Sequence, residues 1–295
     1  MWSESTYSAN AKKIILRGIM PSKKNIKECK ELLGKHQSSK NLSAMLASSD
    51  GHTDSGIPHR ELSELPAKRT AFVQKMRERI IRHHANKAQI ERHNKIRTTL
   101  EQQGLSTHAS KIKLFPTASK TQKGNFAEIF LAEYLAESTN ATLPIYRLRY
   151  NPNIEQAMKG DDVLLFDLDA TPVQIIVGES KFRKSPSKKS VDDMIIGLEK
   201  SISNGIPASL QFVADRLFES GENELGDRVL NCAILFMNNK LDIGYAGILM
   251  SNHNASNHIN KHGNSTMRRI VFISCRLEEP EDMVDDCFKD IEDSI

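Results

Sequence analysis

The sequence predicts an α/β fold. A helical pattern, Gly124–Glu137, precedes two short apolar runs, Val163–Leu168 and Val173–Gly178, and further helix and strand patterns alternate to the end of the chain. Such interleaving excludes all-α and all-β classes. The chain has 295 residues, 39% of them hydrophobic and 26% charged, a globular composition large enough to bury a core. Its charge is unevenly spread. Residues 1–122 carry 23 Lys and Arg against 10 Asp and Glu, whereas residues 123–295 carry 18 against 27. This asymmetry predicts a basic, mostly helical N-terminal region, residues 1–110, followed by an α/β domain, residues 111–295.

The first 65 residues show no sustained periodicity. Lys23-Lys24, Ser38–Ser49 and Gly51–Pro58 read as loops with short helices between them. From Pro66 to Gln103 there is no Gly or Pro, and Phe72, Met76 and Ile80 recur every fourth residue, which reads as one long helix. Its other face is basic, with Arg77, Arg79, Arg82 and Lys87 on successive turns. Three readings stand for that face: a solvated surface, a track for nucleic-acid phosphates, or a surface that docks on the acidic C-terminal half of the same chain and occludes the site. Beyond Lys111, Ile145–Tyr150, Leu230–Met237, Ile243–Leu249 and Ile270–Cys275 read as strands. Phe182–Lys189 reads as a Lys-rich loop whose Arg183 and Lys184 are further candidates to bind nucleic acid, and the segments to Ile202, Ser209–Phe218 and Pro280–Ile291 read as helices.

The chemistry concentrates in GDDVLLFDLDATPVQIIVGESK, residues 160–181. A hairpin turning at Ala170-Thr171 sets Asp162 opposite Glu179, and directly opposed residues share a sheet face. Lys181, two residues on, shares it too, as do Leu164, Phe166, Ile175 and Val177. Two close carboxylates repel, and burial makes their ionisation worse. A hard divalent cation, Mg²⁺ or Mn²⁺, compensates such a pair and activates phosphodiester hydrolysis, with Lys181 as a point charge beside the reacting phosphate. Asp161 competes with Asp162; strand parity favours Asp162. Glu128 lies on the apolar stripe of Leu131, Ala132 and Leu135 and needs a partner. It reads either as a further metal-site carboxylate or as the N3 member of a capping box begun by Asn125.

Helix-Glu, then Gly-x-Asp, then Glu-x-Lys at the end of a strand resembles the PD-(D/E)XK nucleases. More narrowly, KGNFAEIFLAEYL, KGDDVLLFDL, VGESKFRKS and VDDMIIGLEKSI resemble the HamA family, the nuclease subunit of Hachiman anti-phage defence, over residues 120–275. The resemblance implies a restriction-endonuclease-like core. It also implies metal-dependent degradation of DNA with Glu128, Asp162, Glu179 and Lys181 in catalytic roles, and the Ser180 carbonyl as a backbone metal ligand. The partner it implies is a helicase subunit of the HamB kind. Restriction, repair or RNA-directed nucleases of the superfamily are alternatives, as is a non-catalytic nucleic-acid-binding subunit.

Other motifs are weaker. His253, His258 and His262 lie in an Asn-rich stretch that lacks the Glu of H-E-x-x-H, so a solvated loop outweighs a zinc site. No P-loop, G-x-S-x-G or G-x-G-x-x-G occurs, so no nucleotide is expected to bind this chain. Four widely spaced cysteines and the polar segment MWSESTYSAN fit a cytoplasmic protein, and no apolar run is long enough to span a membrane.

Overall fold

The computed structural model describes residues 25–203 and 205–295; the Lys23-Lys24 loop expectation lies outside them. Six strands form one mixed sheet: β1 Leu46–His52, β2 Pro58–Glu64, β3 Val163–Asp167, β4 Val173–Phe182, β5 Leu241–Ser251 and β6 Ile270–Arg276. Their order is β1-β2-β6-β5-β4-β3. The two ends are antiparallel hairpins, and β2, β6, β5 and β4 run parallel. β5, buried along its whole length, reads as the near-continuous apolar run expected of a covered parallel strand.

The helices of eight residues or more are α1 Arg69–His84, α2 Lys87–Gln102, α3 Ser119–Ser138, α4 Lys188–Ser201, α5 Leu210–Glu219, α6 Asn223–Met237, α7 Ala255–His262 and α8 Pro280–Phe288. One core joins Phe72 and Met76 of α1, Phe126 and Phe130 of α3, and Met283 and Cys287 of α8 to Ile176, Ile248 and Ile273 of the sheet. The other face packs Ile175, Val177 and Tyr245 against Met194 and Leu198 of α4, Val213 of α5, Cys232 of α6 and Ile259 of α7. Helix α3 is buried nearly all round, as its apolar sequence requires.

The hairpin register agrees with the sequence reading: Val163 faces Gly178 and Phe166 faces Ile175. Asp167 Oδ1 accepts the Ala170 N–H in the turn. Strand β4 runs four residues further than expected, so Glu179, Ser180 and Lys181 lie within it.

Elsewhere the structure corrects the expectations. Among its described residues the N-terminal region holds two strands as well as its helices, and it joins the sheet and the core of the rest of the chain. β1 and β2 extend the sheet by pairing β2 with β6, and α1 shares the core of α3. The long helix breaks at Ala85, which is extended. Asn86 then starts α2 with a capping box closed by Gln89. Ile145–Tyr150 is no strand; Arg147–Tyr150 is a 3-10 turn. Leu230–Met237 lies in α6, where Val229 and Cys232 face the core while Ile234 and Met237 face out, a helical period. The His-rich segment forms α7, not a loop.

Candidate active site

The site lies where β4 ends and β3 begins. Gly178 lets α3 approach the hairpin: a Cβ there would lie 2.8 Å from Val163 Cβ and 2.9 Å from Leu131 Cδ2. That approach brings Glu128, one turn before Leu131, to the mouth of the sheet. Glu128, Arg147, Asp162, Ser180, Lys181 and Arg183 line one cleft of about 650 Å³. Glu179 and Lys181 open on a second cleft of about 490 Å³ beneath α4, so Lys181 borders both.

Each predicted carboxylate is held by the chain itself. Asp162 accepts the Ser180 N–H and Oγ–H, both at 2.9 Å. Lys181 Nζ donates to Glu179 Oε1 and, at 3.3 Å, to the Ser180 carbonyl. Glu128 accepts Arg147 Nε at 2.7 Å and Nη2 at 3.3 Å. Arg147 also donates to the carbonyls of Met158 and Asp161, so it ties Glu128 to the loop that delivers Asp162. The sequence reading missed Arg147 because it treated its segment as a strand. The signal was Glu128 itself, a carboxylate on an apolar stripe that requires a cation.

Asp161 is placed differently. Its carboxylate accepts Ser201 Oγ–H and the Ser209 N–H, and its own N–H reaches Ser209 Oγ. It fastens the loop to the α4–α5 corner, whereas Asp162 faces the cleft. The capping-box alternative for Glu128 fails, because α3 begins at Ser119 and Asn125 is interior, with its amide against His84.

The electrostatics follow from crowding. Burial pushes the Glu128 carboxyl up to about 7; Arg147 opposes this, while Asp162 and Glu179 add to it. Burial and the neighbouring Asp162 push Glu179 up to about 7 as well, against Lys181. Both groups prefer to shed negative charge. Even so, no group of three or more His, Cys, Asp or Glu is drawn together tightly enough to hold a metal ion among the described residues.

Gly197 of α4 supplies the space for Glu179, because a Cβ there would overlap the Glu179 carboxylate. Gly197→Ala is therefore expected to push Glu179 aside and lower activity about 10- to 100-fold. The melting temperature should change little, since alanine favours the helix by about 1 kcal/mol. Crystal density for Glu179 and a rate assay check this together.

The residues read as a nucleic-acid track are mostly engaged within the fold. Arg77 donates to the carbonyls of Asp286, Cys287 and Lys289 at the end of α8. Arg79 pairs with Glu133 and Glu137, and Arg82 with Glu133. Of the three readings, docking on the acidic half describes these arginines, but they do not occlude the site, since none of them lines either cleft. Burial opposes, but His83 and Arg82 outweigh it and hold Glu133 down to about 2. Of these four residues Lys87, at the start of α2, stands free of the core, 91% exposed beside Glu91. Arg183 lines the cleft, 3.7 Å from Asp193, and Lys184 follows it in the chain, 2.8 Å from Glu281. His258 and His262 have ring centroids 5.9 Å apart on α7, away from these acids. No described helix is long and apolar enough to cross a membrane.

Known proteins match most of this chain. The HamA family model matches residues 35–291. Hachiman protein HamA of Bacillus cereus is 32% identical over 250 residues, covering 85% of this chain and 90% of that protein. With the matched region taking in both sheet ends and every residue of the cleft, the chain belongs to the HamA family.

Proposed function

We propose that this protein is the metal-dependent nuclease of a Hachiman anti-phage system, with a PD-(D/E)XK core that hydrolyses DNA phosphodiesters. One observation carries the reading. Glu128, Asp162, Glu179 and Lys181 converge at one end of the sheet, and two of the carboxyls are pushed up to about 7 by burial and mutual repulsion. The donor chemistry fits a hard divalent cation, because carboxylate and carbonyl oxygens are the ligands Mg²⁺ and Mn²⁺ prefer. Glu128, Asp162, Glu179 and the Ser180 carbonyl are the groups that would hold it, and to do so the acids, which now open on two neighbouring clefts, would have to draw closer together. Bound there, the cation would polarise the phosphoryl oxygen and help form hydroxide.

The chain's own residues do the rest. Ser180 orients Asp162 through two hydrogen bonds, and Arg147 fixes Glu128 against the Asp162 loop. Lys181 supplies the ammonium that stabilises charge developing on the phosphate. A helicase partner supplies any ATP-driven step, since this chain has no phosphate-binding loop of its own.

A second reading has its own observation. Every carboxylate of the set already has a donor within the chain, as a nucleic-acid-binding assembly subunit with an inert site would have. Purified chain is expected to nick supercoiled plasmid with Mg²⁺ and to stop with EDTA. Binding of DNA without cleavage, alone and with the helicase, would establish the second reading; cleavage of RNA alone would reassign the substrate.

A further inference from the structure

At the mouth of the cleft, one carboxylate bridges two lysines. Lys123, near the start of α3, donates to Glu281 Oε1, and Lys184, in the loop after β4, donates to Glu281 Oε2 at 2.8 Å. Lys123 lines the 650 Å³ cleft together with Glu128 and Lys181. Lys123 thus belongs to α3 and Lys184 follows the end of β4, the two elements that deliver the proposed catalytic groups. Glu281 comes from elsewhere, the first turn of α8.

A phosphodiester, like a carboxylate, presents two oxygens that share one negative charge, and ammonium groups bind such oxygens as point charges. A backbone phosphate can therefore take the position of the Glu281 carboxylate between Lys123 and Lys184. The exchange is feasible because the contact is open to solvent. The side chains of Lys123, Lys184 and Glu281 are 25%, 69% and 31% exposed, and ion pairs of that kind hold a fold only weakly. The acidic first turn of α8, with Asp282 beside Glu281, meanwhile repels a polyanion.

We infer that Lys123 and Lys184 form a clamp for the DNA backbone at the cleft mouth, and that Glu281 is its built-in competitor, occupying the clamp until DNA displaces it. The inference rests on the reading of this cleft as a nuclease site. It assigns regulation to one acidic residue of this chain, independent of any partner.

The test uses the full chain and a fluorescein-labelled DNA duplex in EDTA at low salt, where binding is read without cleavage. Glu281→Gln is expected to tighten binding about fivefold, because two lysines lose their competitor. Adding Lys123→Ala and Lys184→Ala to Glu281→Gln should remove that gain, and thermal melting of each variant should stay near wild type. Unchanged affinity in Glu281→Gln overturns the proposal, as does a gain that survives loss of both lysines. Mg²⁺-dependent plasmid cleavage by the same proteins separates the two levels. If wild type cleaves and Glu281→Gln binds no tighter, the clamp is wrong and the nuclease reading stands. If Glu281→Gln binds tighter and no variant cleaves, the clamp stands as a DNA-binding device and the nuclease reading falls.

Discussion

Glu179→Gln is expected to reduce Mg²⁺-dependent cleavage to background while making the fold more stable near neutral pH. The substitution keeps the side chain's shape under α4 and removes its charge. In the native protein, burial and Asp162 raise the Glu179 carboxyl to about 7, above its ordinary 4.5. A carboxyl raised by folding binds more protons folded than unfolded, so wild-type stability falls as pH climbs from 4.5 through 7. The glutamine variant lacks that loss. Below pH 4.5 the two proteins should melt alike. Above pH 7 the variant should be more stable, by on the order of 3 kcal/mol, since each pKa unit is about 1.4 kcal/mol. The difference between the two melting curves is the quantity to follow. Burial lowers His36, His59, His83 and His84, so these residues add stability as pH rises and would mask the trend in either protein alone. Calorimetry with Mn²⁺ completes the test: binding should weaken at least tenfold, because one oxygen donor set is lost. Equal Mn²⁺ affinity in both proteins would remove Glu179 from the metal site.

Lys181→Ala is expected to slow single-turnover cleavage about 100-fold, which corresponds to roughly 3 kcal/mol of lost transition-state stabilisation. The Lys181 ammonium sits between the Glu179 carboxylate and the Ser180 carbonyl, on the border of both clefts. Under the proposed function a residue placed there would meet the reacting phosphate, whereas Lys189, paired with Asp193 on the outer surface of α4, would not. Lys189→Ala should therefore cleave at the wild-type rate. Lys181→Arg should restore little, because a planar fork does not reproduce a compact point charge. DNA affinity in EDTA should hardly change, because one phosphate contact among several is lost. Wild-type cleavage by Lys181→Ala would exclude the Glu-x-Lys reading and favour the assembly-subunit alternative.

The β3–β4 hairpin was legible because two apolar runs flank a turn signal, and that alone set Val163 against Gly178. Glu128 was legible as an acid out of place on an apolar helix face. The turn at Arg147–Tyr150 was not, since Ile145, Tyr146 and Leu148 imitate a strand while Arg147 turns to the site and Arg149 lies over the Tyr146 ring. β1 and β2 escaped notice for a different reason. β1 is an edge strand whose polar residues face out, and β2 buries Arg60 on the face of Leu62, where alternation would place an apolar residue, and His59 on the other face. Arg60 is tolerated there because it reaches Asp50, the Gly34 carbonyl and the Tyr134 hydroxyl. The break at Ala85 was encoded by Asn86-x-x-Gln89, a cap signal hidden inside an unbroken helical composition. α6 was misread because its apolar run is dense enough to resemble a strand.

The pairing of β2 with β6 fixes when this molecule can become whole. His59 in β2 meets Ser274 in β6 across 215 residues of chain, and β5 and β6 complete the sheet to which the Glu179 strand belongs. During synthesis at about 5–20 residues per second, the amino-terminal hairpin waits roughly 10–40 seconds for its neighbour to leave the ribosome. Contacts so distant in sequence form late and slow the final folding step. A nascent or prematurely terminated chain therefore lacks the sheet that brings Glu179 and Lys181 to α3, and translation to its last strand itself delays the appearance of an assembled site inside the cell that makes it.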